Sequence, residues 1–124
     1  KEDAMPELVP GPSYVQACGN KVKVIEEFIG RLTTDTADVS IARMRSPSGW
    51  ISVAQTAEFD EYTVVLRGIL RVRSKEGTLD VKAGQAIIAR RGEWVQRSTP
   101  GPDGAEYISV CVPAFGNSLV DRDE

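Results

Sequence analysis

The sequence predicts an all-β protein, a sandwich or a barrel, on three observations. Val, Ile, Thr and Tyr dominate the apolar stretches, and no helical period of 3.6 survives across them. Strict alternation recurs, as from Tyr107 to Val112, where Ile108, Val110 and Val112 fall on one face and Tyr107, Ser109 and Cys111 on the other. Gly- and Pro-rich turns cut the chain into about eight or nine short segments with no clear helix among them, the pattern of packed antiparallel layers.

Residues 1–20 carry Pro6, Pro10 and Pro12 with Gly11 and Gly19 and show no periodicity, so they read as an arm lying on the body or on a partner subunit. Residues 21–124 form the single domain. KVKVIEEFIGRL, from Lys21, is compatible with a strand or one short helix; the alternation at its start favours a strand, which Gly30 ends. Thr33 to Asp38 is a polar turn, Val39 to Met44 a strand, and Ser46 to Gly49 a second turn. From Gly49 to Gly68 two strands flank an acidic bend at Glu58, Asp60 and Glu61, and glycine closes the second. Gly68 to Ser74 sets Arg71 and Arg73 against Leu70 and Val72, as in a half-solvated sheet; Lys75 to Gly77 turns, and Thr78 to Val81 returns. Gln85 to Ala89 reads as a buried strand, Trp94 to Thr99 as another, and PGPDG from Pro100 as a turn before Tyr107 to Val112. The tail after Pro113 is irregular or a short helix.

Composition narrows the function classes. Net charge is −3 with both signs interspersed, which gives no electrostatic reason to expect nucleic-acid binding. No apolar run is long enough to span a membrane and no signal-peptide pattern opens the chain, so the expected place is the cytoplasm. Two cysteines, Cys18 and Cys111, make no disulfide framework and are expected reduced. There is no histidine, which removes the usual zinc sites and the usual general base; acid–base chemistry falls to carboxylates, Tyr, Cys or Lys.

The spacing around the acidic bend carries a resemblance. Gly49, Gln55, Ala57, Glu61 and Gly68 fall on the first cupin motif, G-x5-H-x-H-x3-E-x6-G, with both histidines replaced. Gly84, Arg90, Gly92, Val95 and Thr99 fall on the second, G-x5-P-x-G-x2-H-x3-N, again without its histidine. The phrases FDEYTVVLRG, AGQAII and YISVCVPAF resemble the ethanolamine-utilisation cupins of the EutQ type, over residues 39–115. This resemblance implies a cupin barrel, the double-stranded β-helix or jelly roll, a cavity for a small-molecule ligand, and a homodimer formed through an edge strand and the N-terminal arm.

It also implies which side chains face the interior. Sharing parity with the ligand positions are Ile51, Val53, Gln55 and Ala57, then Glu61, Thr63 and Val65, with Val95, Arg97 and Thr99 from the second motif. Only Glu61, and Gln55 as a weak second, could still hold a metal, so no cofactor is expected and a divalent cation at Glu61 is the minority reading. Without a cation Glu61 needs a guanidinium, Arg97 first and Arg43 second. Glu61 is thus either a general acid or base, with Gln55 or Tyr107 as donors, or half of an ion pair that holds the bend. Cys111 is a pocket thiol or a small buried filler, and Trp50 and Trp94 are core or dimer-face anchors. Two functions follow: a metal-independent lyase, isomerase or cyclase turning on Glu61, or a non-catalytic binding or accessory module. A cavity that reaches Glu61 is the outcome expected of the enzyme, and one closed over it by Ile51, Val53, Val65 and Val95 that of the module.

Overall fold

One strand of 15 residues, Asp60–Ser74, ties the two halves of the molecule together. The computed structural model describes residues 5–17 and 19–123. Among these the strands are β1 (Ser13–Val15), β2 (Val24–Ile29), β3 (Ser40–Ser46), β4 (Trp50–Ile51), β5 (Gln55–Ala57), β6 (Asp60–Ser74), β7 (Gly77–Lys82), β8 (Ala86–Ala89), β9 (Trp94–Thr99), β10 (Ala105–Val112) and β11 (Val120–Arg122). They form one curled antiparallel sheet in the order β1-β2-β3-β10-β6-β9-β5-β11, with β4 on β9 and β7 and β8 on β6. No helix among them is long and apolar enough to cross a membrane. The all-β expectation holds.

Where the sequence sets a strand end at Gly68, β6 runs through it and changes partners. Its first half pairs with β10 and β8, its second with β7 and β9. Register slips opposite Glu106 and Tyr107, so one extra residue, Leu66, stands between Val65 and Arg67. That bulge inverts the alternation: Glu61, Thr63 and Val65 point inward before it, Leu70 and Val72 after it. Gly68 has φ +78°, and a Cβ there would lie 2.9 Å from Ala105 Cα, so only glycine fits the corner. Val65, Leu70, Val72, Val81, Val95, Ala105 and Tyr107 close the core beneath it.

A second slip lies between β4 and β5. Ile51 pairs with Ser98 and Gln55 with Val95, so three residues, 52–54, oppose two. The extra residue moves Trp50 and Ala54 inside and leaves Ile51 exposed and Val53 half-buried, which reverses the orientation expected for Ile51 and Val53.

One further expectation changes, and two are refined. The Gln85 to Ala89 strand is not buried: β8 is an edge strand with Ala86 and Ile88 exposed, because only the β6 side of it is covered. The tail is irregular over residues 113–116 and then forms a short 3₁₀ helix at Asn117–Leu119, as read, but it goes on into a strand the sequence did not signal, β11, which pairs with β5. Of the two places expected for the N-terminal arm, Ser13–Val15 takes the body, joining the chain's own sheet along β2. Cys18, expected reduced, lies outside the described residues, and Cys111 is a free, buried thiol.

Candidate functional site

Glu61 reaches the interior because its β6 position has inward parity, between Ala89 of β8 and Cys111 of β10. Arg97 comes from the inward face of β9, which turns into the same space. Its Nη2 donates to Glu61 Oε1 at 3.1 Å, and the two side chains are only 9% and 10% exposed. Water screens this pair little, so each charge depends on the other. The strand break at 52–54 helps to aim Arg97: its backbone N–H donates to Ser52 Oγ at 3.0 Å, and Ser52 N–H donates to Arg97 O at 2.9 Å.

The pair opens onto a cavity of about 100 Å³. Ile25, Ala42, Met44 and Phe59 are among its apolar lining residues, and Lys23, Glu27, Ser52, Gln55 and Arg122 among its polar ones. Lys23 Nζ stands 4.0 Å from the Trp50 ring centroid and 5.1 Å from that of Tyr107, so two π faces hold the ammonium at the rim. Gly19 lies against the indole edge, where a Cβ would collide with Trp50 Nε1. A shallow surface hollow shares Val15, Gln16, Ala17 and Lys23 with the cavity. Since an apolar cavity of about 150 Å³ takes up benzene, the space here suits a ligand of that size or smaller, or a longer one that protrudes.

Of the residues predicted from sequence, Glu61, Gln55, Arg97 and Cys111 line this cavity. Ala57, Thr63, Val95 and Tyr107 do not, for four different reasons. Ala57 sits on β5, paired with Val120. Val95 packs in the hydrophobic cluster. Thr63 is fully buried and shares a 3.1 Å hydroxyl contact with Ser109. Tyr107 is buried, its hydroxyl 3.0 Å from Ser46 Oγ; burial foremost pushes its pKa up to about 12. Cys111 is likewise driven well above the ordinary thiol range, by burial first and the Glu61 charge second, so it is not a ready nucleophile.

Arg43, the second candidate partner for Glu61, faces the other side of β3 and bonds Glu26 at 2.9 Å. The acidic bend splits into unlike parts: Glu58 is exposed, Asp60 takes Arg91 at 3.3 Å, and Glu61 is buried. Trp94 is a surface anchor, its Nε1 donating to Asp123 at 2.7 Å. Sequence reasoning missed Lys23, Glu27, Met44, Trp50, Ser52 and Arg122 as cavity residues. For Trp50 and Ser52 the obstacle was the extra residue at 52–54; for Arg122 it was a tail read without a strand.

At the four positions where cupins place metal ligands stand Gln55, Ala57, Glu61 and Val95. Two of these have no donor atom, and the carboxylate already holds a guanidinium. Among the described residues no three Cys, Asp or Glu side chains converge on a common point. This donor set does not fit a tightly held transition metal; Arg97 supplies the positive charge opposite Glu61.

The fold is that of a cupin β-barrel. Oxalate decarboxylase from Bacillus subtilis superimposes with a TM-score of 0.72 at 18% identity, over 90% of this chain and 30% of that one. The Clostridium difficile EutQ protein does so at 0.60 and 21%, over 75% and 64%. None of the known family models matches the chain. In sequence it is 42% identical over 101 residues to a Myxococcus xanthus protein named Endoribonuclease YbeY, covering 82% of this chain and 34% of that protein. The chain therefore spans about a third of that relative's length.

Proposed function

We propose that this chain is a small-molecule-binding cupin barrel that takes up a compact ligand beside the Glu61–Arg97 pair. The observation that carries the reading is a buried ion pair at the wall of a cavity of about 100 Å³ lined by both apolar and polar side chains. Because the Myxococcus xanthus relative is about three times as long as the matched stretch, its endoribonuclease name assigns no RNA cleavage to this chain.

Ala42→Leu tests the proposal, since Ala42 lies on the cavity wall. The larger side chain should fill the space at no cost in thermal stability and abolish small-molecule binding, read by native mass spectrometry of gently purified protein. A bound molecule retained by the variant would place the ligand elsewhere. Elemental analysis of the same unchelated sample checks the donor-set argument, and one transition metal per chain would overturn it.

A second reading, proton transfer by Glu61 in a metal-independent lyase, isomerase or cyclase, is favoured by the cavity reaching Glu61 rather than closing over it. Here Arg97 would orient the carboxylate and Ser52 and Gln55 would bind the substrate. Unchanged turnover of an identified substrate by Glu61→Gln would remove this reading and leave binding intact.

A further inference from the structure

On the outer side of the sheet the two halves of β6 differ. Beyond the bulge its outward residues are Arg71 and Arg73, with Ser98 and Gln96 opposite them on β9, the polar surface expected where a sheet meets water. Up to the bulge they are Tyr62, Val64 and Leu66, beside Ile88 of β8 and Val110 and Val112 of β10. Val64, Leu66, Ile88 and Val112 are 38–51% exposed. A contiguous apolar patch of this kind marks a binding surface.

Charge and size indicate what covers it. Around the apolar stretch Glu26 is held by Arg43 at 2.9 Å and Arg45 at 3.2 Å, Glu106 by Arg67 at 3.7 Å and Asp60 by Arg91 at 3.3 Å. In register these groups border the apolar residues, Arg43 standing opposite Ile108 and Asp60 opposite Val112. Each carboxylate is answered by an arginine of its own chain, so the face projects no strong field of one sign and is not repelled by its own image. An apolar centre bordered by arginines and by aromatics such as Phe28, which lies under Arg43, has the make-up of a protein–protein interface. The strands β8, β6, β10, β3, β2 and β1 lie side by side. Six strands about 4.8 Å apart, by roughly 24 Å of strand, span about 700 Å². Each partner in a stable complex buries about 800 Å², so this one face is large enough for a dimer.

We propose that the occupant of this face is a second copy of the chain, packed sheet to sheet about a two-fold axis with Val64 near the axis. The contact then lies on a sheet face, not on the edge strand that the family resemblance implies. Sedimentation velocity of the full chain at micromolar concentration should show a dimer. Val64→Lys and Ile88→Lys each set like charges against one another across the axis and should raise the dimer dissociation constant at least about a hundredfold. Both sites are exposed in the single chain, so circular dichroism should show both variants folded. Leu79→Lys, at an exposed apolar position on β7 and off this face, should leave the dimer unchanged. A dimer that survives both face variants, or one that Leu79→Lys dissociates, would overturn the assignment. So would a parent that stays monomeric; if that monomer pelleted with phosphatidylglycerol vesicles, the face would belong to a lipid surface instead.

Discussion

Removing Arg97 alone should cost far more than removing the ion pair as a whole. In Arg97→Met the Glu61 carboxylate, with a side chain only 10% exposed, loses its guanidinium partner at 3.1 Å. Breaking a buried pair from one side costs about 3–5 kcal/mol, whereas replacing both partners by apolar groups is neutral or stabilising. With an unfolding entropy of roughly 2.1 cal/mol/K per residue over 124 residues, the single variant should melt about 12–19 °C lower. Glu61→Leu/Arg97→Met should lie within about 1 kcal/mol of the parent. Urea unfolding of the parent, both singles and the double closes the cycle, and a coupling above about 2 kcal/mol is expected. A coupling below about 1 kcal/mol, the worth of a solvated surface pair, would refute the reasoning, because water in the cavity would then be solvating both charges.

Gly68→Ala should destabilise by about 2–4 kcal/mol in chemical denaturation, since it combines a positive φ with a Cβ collision at a packed corner; a loss under about 0.5 kcal/mol would show that the β6 bulge relaxes freely. Tyr107 gives a pH signature. Its folded pKa of about 12 lies above the unfolded value of about 10, so its contribution is complete below pH 10 and lost as pH rises through 12. In a Cys111→Ala background, which removes the parallel thiol contribution, the urea midpoint should fall between pH 10 and 12, and Tyr107→Phe should flatten that fall. Equal slopes with and without the hydroxyl would mean that Tyr107 ionises in the folded protein as easily as in the unfolded chain.

Much of the architecture was legible because strand alternation is a local property. Leu70 and Val72 turn in while Arg71 and Arg73 turn out, as their order alone requires. On β9 and β10 every second residue is buried, again as read. The alternation failed where the chain inserts an extra residue, at 52–54 and at Leu66, because a bulge reverses every side chain beyond it without any change in residue type. Gly68 signalled a special backbone in the sequence, yet glycine ends a strand and bends one equally well.

What the sequence determined by itself was the class of fold and one of the two carboxylates that line the cavity, Glu61. Period-two patterning, turn residues and the spacing of Gly49, Glu61 and Gly68 all act within a few residues of themselves. The partner of Glu61 and the shape of the cavity were decided by tertiary structure. Arg97 and Arg43 are equivalent as charges along the chain, and the direction of two sheet faces sends one inward to Glu61 and the other outward to Glu26. Lys23, Trp50 and Arg122, far apart in sequence, line one cavity only because β11 closes onto β5 and the sheet curls round to bring β2 and β4 to the same space. Such convergence depends on long-range pairing and packing, which local residue patterns do not encode.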